Sequence, residues 1–206
     1  PHIYGKTDAD AVFGLMYAQC EDDFKRVEMN YIEKLDRLSE VNGEKDIYTD
    51  LYTRLVINES EAFEDYENLS GPLKKLLNAF ADGINYYLYK HPEVKPALLK
   101  KFEPWYPLIW TDGSIGAIST GDVTAEELKA FYTGKDVPVV FNKENENTGS
   151  GSNGFAVGPS KTVSGNAILY INPHVTFYYR PEVHMASEQP DPEDVEKRKL
   201  NTYGAV

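Results

Sequence analysis

Three stretches of the chain hold residue types able to do chemistry. Gly149-Ser150-Gly151-Ser152-Asn153-Gly154 satisfies the G-x-G-x-x-G spacing of a dinucleotide-binding turn. That mechanism needs a strand before the glycines and a helix after them, with the helix N-terminus facing the pyrophosphate. Here a polar tract precedes and a short strand limited by Pro159 follows, so the match is rejected; Gly158-Pro159-Ser160-Lys161-Thr162 lacks the upstream glycine of a phosphate loop and reads as a turn. His174 and His184, with Glu182 between them, are potential metal ligands, but their separation is neither i,i+4 on a helix nor i,i+2 on a strand, and no metal template is met. The third candidate is Ser152. It stands between a polar tract and an apolar strand, with Gly151 just before it, and is either a serine of a flexible linker or the new N-terminus that a chain break would create.

The elements that must position these residues follow from periodicity. After Thr7-Asp8, the residues Phe13, Met16, Cys20, Phe24, Val27, Tyr31, Leu35 and Leu38 step by three or four, the stripe of one long amphipathic helix, with Asn42-Gly43 as its stop. A second stripe runs through Ile47, Leu51, Leu55, Ala62, Tyr66 and Leu69, and a third from Leu73 to Tyr87, with Pro72 in its first turn and His91-Pro92 at its end. All three stripes read as core faces, and the acidic residues opposite them as solvated surface, not calcium ligands. From Lys95 to Thr120, prolines interleaved with Phe102, Trp105, Tyr106 and Trp110 exclude a long helix while the aromatics demand burial, which predicts an ordered loop packed on the helices. Thr124-Ala125-Glu126-Glu127 is a capping box and starts a short helix to Gly134. The tract Asn142 to Gly151 has no apolar residue and is expected to be exposed and mobile. Phe155-Ala156-Val157, the turns around Gly158-Pro159 and Gly165-Asn166, and Ala167 to Ile171 read as strand, turn and buried strand, and Ser187 to Lys199 as a surface loop. Helices first and strands afterwards give an α+β chain.

Composition bounds the function. The 206 residues carry 21 Lys and Arg against 33 Asp and Glu, a net charge of −12, which argues against a nucleic-acid partner. No apolar run approaches the roughly 20 residues a membrane span requires, and the single cysteine, Cys20, cannot form an internal disulfide. The chain opens on Pro1 without an initiator Met or a leader, and the expectation is a piece of a longer precursor.

Gly151-Ser152-Asn153-Gly154-Phe155-Ala156-Val157, followed by Ile171-Asn172-Pro173-His174, resembles the start of the β-subunit in the penicillin acylase family of N-terminal nucleophile hydrolases. Pro1-His2-Ile3-Tyr4-Gly5, Asp8 to Ala11 and Gly14 to Asp22 are similar to the opening of the family's α-subunit, and Phe80-Ala81-Asp82-Gly83-Ile84-Asn85 to a second α-subunit signature. The resemblance implies a helical α-subunit-like region over 1–133, a spacer over 134–151, and over 152–206 the first strands of an incomplete αββα sandwich. It further implies self-cleavage between Gly151 and Ser152, with Ser152 as both nucleophile and, through its freed α-amine, base. The product would be a heterodimer of α- and β-subunits that removes the acyl group from a small-molecule amide such as a β-lactam antibiotic, an N-acyl-homoserine lactone or a lipopeptide. His174 stands where the lipopeptide, homoserine-lactone and cephalosporin acylases carry His and the penicillin G type carries Gln, which implies an orienting and proton-handling role; Val175 and Phe177 are implied as acyl-pocket residues. The chemistry needs no cofactor, and no ligand set for the structural calcium known in part of the family can be assigned. Periplasmic or secreted localisation follows by the same resemblance. Because the family's oxyanion-hole donors lie further along the β-subunit, these residues by themselves are expected to be inactive. The alternative is a family member that has lost catalysis and serves as a binding or scaffold protein.

Overall fold

The computed structural model describes residues 1–109, 123–135, 152–173, 182–190 and 200–205. Strand β1 (His2–Gly5) leads into helix α1 (Asp8–Lys34), followed by α2 (Leu38–Asn42), α3 (Ile47–Val56), α4 (Glu59–Asn68), α5 (Gly71–Lys90) and α6 (Ala125–Thr133). Strands β2 (Ser152–Val157), β3 (Ile168–Pro173), β4 (Glu182–Ser187) and β5 (Asn201–Ala205) come last. The α+β class stands. Its exception is β1, an N-terminal strand that pairs in parallel with β4 while β5 pairs antiparallel on β4's other side.

Helix α1 starts where its sequence says it should. Thr7 Oγ1 accepts from the Asp10 amide, and Asp10 Oδ2 accepts from the Thr7 amide at 2.8 Å, a complete capping box. The first stripe, however, is not one helix. At Asp23 the backbone leaves helical geometry (φ −160°, ψ 75°), and the Asp23 carboxylate caps the turn that follows by accepting from the Arg26 amide at 3.1 Å. At Asp36 the chain turns left-handed (φ 49°), and the Asp36 and Arg37 amides fold back onto the Glu33 and Ile32 carbonyls. Arg54 holds that turn with two hydrogen bonds of 2.7 and 2.9 Å to the Asp36 carboxylate. Leu38 therefore begins a separate helix, whose first amides, Leu38 and Ser39, are capped by the buried Asp50 carboxylate at 2.8 Å each.

The second stripe is likewise two helices. Asn58 Oδ1 accepts from the Ser60 and Glu61 amides and starts α4, because an Asn at this point offers the backbone a cap that competes with helix continuation. Leu55 and Leu73 are 64% and 49% exposed, so these stripe members do not belong to the core. The third stripe and the Thr124 capping box match their helices, α5 and α6.

The core is the seam of α1 and α5, completed by the segment after α5 and by the inner face of the three-stranded sheet. Phe24, Tyr31, Ile84, Tyr87, Leu99, Phe102, Tyr106, Ile109 and Val183 are all buried in it. The Pro-rich segment is an ordered, packed loop over 95–109; the remainder of the expected loop, to Thr120, lies outside the described residues, as do the polar tract Asn142 to Gly151 and most of Ser187 to Lys199. A buried carboxylate anchors this loop. Glu28, 2% exposed, accepts three backbone hydrogen bonds, from Ala97 at 2.9 Å, Leu98 at 2.8 Å and Leu99 at 2.9 Å.

Two measurements check this packing. Glu28→Ala leaves three amide donors without their acceptor at about 1–3 kcal/mol each; with partial relaxation the expected loss is roughly 3 kcal/mol by urea unfolding, and an unchanged midpoint contradicts the anchor. Burial pushes the Cys20 thiol up from its ordinary 9.0 to about 12, and it raises Tyr31, Tyr87 and Tyr106 as well. For each group the native state keeps a proton that the unfolded chain releases at lower pH. Their contribution is therefore complete below about pH 9 and is lost as pH rises towards 12. Accordingly, unfolding midpoints should fall steadily above pH 9, and Cys20 should react with thiol reagents at pH 8 only in denaturant.

Candidate functional site at the end of the β2–β3 hairpin

Ser152 is the first residue of β2, and the antiparallel register places it opposite Pro173, the last residue of β3. The two ends meet because the connection between the strands is tight. Pro159–Lys161 forms a single 3-10 turn, Thr162 Oγ1 donates within reach of the Pro159 and Asn166 carbonyls, and Gly165 takes the left-handed φ of +72° that the reversal requires. Phe155 and Tyr170 face each other across the ladder with ring centroids 4.9 Å apart and 15° between planes. Gly154 sits where a Cβ would come within 3.2 Å of the Tyr170 carbonyl oxygen, a tight contact that a side chain there would relieve by moving the strands a few tenths of an ångström apart. Both strands expected from the sequence are present. Burial differs: Phe155, Leu169 and Ile171 are 57%, 69% and 64% exposed, because a two-stranded hairpin has two open faces and no further described strand pairs with it.

The hairpin thus brings Ser152 to the residue that precedes His174 in the chain. Gly151, His174, Val175 and Phe177 lie outside the described residues. Among the described residues no group of three or more His, Cys, Asp or Glu is arranged to hold a metal ion.

Gly14 and the stretch Phe80 to Asn85 are packing points of the fold. Gly83 lies so close to α1 that a Cβ on it would come within 2.5 Å of the Phe13 carbonyl oxygen. Asn85 clamps the backbone of buried Phe102 from both sides: Oδ1 accepts from the Phe102 amide at 2.8 Å and Nδ2 donates to its carbonyl at 2.9 Å. Gly14 gives Ile3 of β1 room on α1, where a Cβ would approach its Cγ2 at 2.9 Å. His184, considered above with His174, is instead tied to His2, Tyr4 and Asn201. Sequence reasoning missed that cluster because its members are as much as 182 residues apart. The available signal was the alternation of polar and apolar residues in His2-Ile3-Tyr4, which reads as a strand.

A family model described as penicillin amidase matches residues 1–206. The chain belongs to the penicillin amidase family. Among its relatives, the penicillin acylase 2 proenzyme of Pseudomonas sp. (strain SE83) is 23% identical over 224 residues, covering 86% of this chain and 29% of that protein. The acyl-homoserine lactone acylase QuiP of Pseudomonas fluorescens (strain Pf0-1) is 30% identical over 111 residues, 52% of this chain and 14% of that protein. The chain thus spans less than a third of the length of these penicillin amidase relatives. Among the described residues no helix is long and apolar enough to cross a membrane.

The packing account of the Phe80 to Asn85 signature is testable. Asn85→Ala strands both backbone groups of Phe102 at about 1–3 kcal/mol each. It should lower stability by roughly 2 kcal/mol or more and speed amide exchange at Phe102 first.

Proposed function

We propose that this chain is the α-subunit-like region and the leading β-subunit strands of an acylase-type amide hydrolase, with Ser152 as an N-terminal nucleophile released by cleavage after Gly151. The observation that carries the reading is the coincidence of a match to the penicillin amidase family over residues 1–206 with a Gly-Ser junction at which a strand begins. One relative is named a proenzyme, which agrees with a precursor that must be processed.

In the precursor, the Ser152 hydroxyl attacks the Gly151 carbonyl carbon. The peptide C–N bond breaks as the acyl group moves to oxygen, and water then hydrolyses the ester. This leaves a Gly151 carboxylate and a free Ser152 α-amine. Glycine before the scissile bond allows the strained backbone that such an attack needs. The freed amine has a reference pKa of about 7.7–8.0, so near neutrality a useful fraction is unprotonated and can accept the proton of the same residue's hydroxyl. Attack on a substrate amide gives an acyl-enzyme, the amine of the substrate leaves with the proton, and water releases the acid.

His174 follows Pro173, the partner of Ser152 in the ladder, and is assigned the orienting and proton-handling role beside the amine. Val175 and Phe177 follow within three residues of it and are assigned to the acyl pocket. The substrate class is an amide-linked acyl group on a small molecule: a β-lactam, an N-acyl-homoserine lactone or a lipopeptide, the first two in line with the names of the relatives. The oxyanion donors that such chemistry needs are assigned to sequence beyond these residues, so the 206 residues by themselves should not turn over substrate.

The test is to produce the full-length protein that carries this sequence and measure the masses of its chains. A break immediately before Ser152 is expected, together with its complete loss in Ser152→Ala. An unbroken wild type, or a break that persists in Ser152→Ala, overturns the reading and leaves a non-catalytic family member.

A further inference from the structure

We propose that His2 and His184 form a binding site for a divalent transition-metal ion of the imidazole-preferring kind, such as zinc or nickel, bridging strands β1 and β4. The parallel register sets His2 directly opposite His184. Residues paired this way project to the same face, here the face opposite Ile3, Val183 and Met185, which pack on the helices. The two Nδ1 atoms are 3.2 Å apart, and the ring centroids 5.3 Å apart. The centroids are farther apart than the nitrogens by about the distance two rings add, so both nitrogens face one gap.

That spacing is what a metal requires. At a zinc–nitrogen distance of about 2.0–2.1 Å, two donors lie about 3.3 Å apart at a tetrahedral angle and about 2.9 Å apart at a right angle, and the observed separation falls between. The protonation pattern also fits. His184 Nε2 lies 2.7 Å from Asn201 Oδ1, which can only accept, so this contact takes a proton on Nε2, and the tautomer that carries its single proton there turns the Nδ1 lone pair to the gap. A ligating histidine held through its other ring N–H by a neighbouring carbonyl oxygen is the arrangement that fixes ring and tautomer in metal sites. Tyr4 brings its hydroxyl to 3.5 Å from the same Nδ1, an oxygen at the edge of the gap.

Without metal, the His2 Nδ1–H fills the gap by donating to His184 Nδ1. On binding, that proton moves to His2 Nε2, both Nδ1 lone pairs turn to the ion, and neutral imidazoles release no net proton. Solvent reaches the face, since Tyr4 is 72% exposed, so an ion can enter and water can complete its coordination. Two imidazoles suit zinc, nickel or copper and do not suit calcium, which takes oxygen ligands. The consequence is a cross-link between residues 182 apart in the chain, which stabilises the folded state by mass action. The site is independent of the role given to Ser152.

Zinc chloride titrated into the full chain, with calorimetry and a thermal melt as readouts, tests the proposal. One ion per chain and a melting temperature that rises with zinc concentration are expected. Binding should vanish in His2→Gln and in His184→Gln, weaken about 10- to 100-fold in Asn201→Ala, and persist in His91→Gln. Where a variant unfolds, the imidazole nitrogen shifts of the wild type decide: zinc must move those of His2 and His184. No saturable binding by the wild type, equal binding in both histidine variants, or unmoved shifts at these two rings overturns the proposal.

Discussion

Everything in the helical part depends on how closely α5 can lie on α1, and Gly83 sets that distance. Its Cα rests against the Phe13 carbonyl with no room for a methyl group. Helices brought together by a glycine leave the larger side chains on either side of the contact to interlock. Here these are aromatic: Phe24 stacks with Tyr87 at 5.8 Å, and Tyr31 stacks with Tyr106 at 5.8 Å while meeting Phe102 edge-on at 6.0 Å. Phe102 and Tyr106 come from the segment after α5, which ends in the 3-10 turn Tyr106–Ile109 and has no ladder to hold it. Two side chains on the helices, the buried Glu28 and the half-buried Asn85, supply what a ladder would: Glu28 takes three amides of the segment, and Asn85 takes both polar groups of Phe102. Close helix contact, aromatic seam and anchored loop are one arrangement, and a wider spacing between α1 and α5 would undo all three.

What the sequence displayed and what it hid differ by range. Capping boxes are local: the one at Thr124 is read directly from four consecutive residues, while the one at Thr7, closed by Asp10 in place of Glu, came to light in the structure at the helix start that the stripe had placed after Thr7-Asp8. Apolar stripes gave the helical faces but not the breaks. The spacing runs on across both breaks, Leu35 to Leu38 being three residues and Leu55 to Ala62 seven, which is two turns of a continuous helix, so neither break shows in the period. The breaks are decided instead by polar contacts: Arg54 on Asp36, Asp50 on the start of α2, and the Asn58 side chain on its own backbone. The pairing of β1 with β4 was not legible at all, since parallel register between strands about 180 residues apart leaves no local trace.

The candidate site divides along the same line. The serine that opens a strand was visible as an abrupt change from polar tract to apolar run, and the turn residues that bring Ser152 opposite Pro173 are local too. The reading of Ala167 to Ile171 as a buried strand followed from a five-residue apolar run bounded by Asn166 and Asn172-Pro173, yet these residues are exposed, because such a run reports a demand for burial and not its fulfilment. The His184 partners again required a long-range pairing.

The two sheets are unequal in support, and this bears on a chain cut after Gly151. Among the described residues no third strand pairs with the hairpin that carries Ser152, whose ladder, Thr162 turn bonds and Phe155–Tyr170 stack include no such support, and an isolated two-stranded hairpin is marginal in water. The three-stranded sheet has one face in the helical core through Val183, 2% exposed, and Met185. Its β1 precedes the junction and its β4 follows it. Cleavage would therefore place the strands of one ladder on two chains, joined by the β1–β4 pairing, by the hydrogen bond from the Ser187 hydroxyl to the Asp8 carboxylate, and by the burial of Val183. None of these contacts involves the peptide bond that would be broken. The constraint on such processing is thus met by topology: the pieces would share a sheet and a core formed before the cut, and need not find each other afterwards.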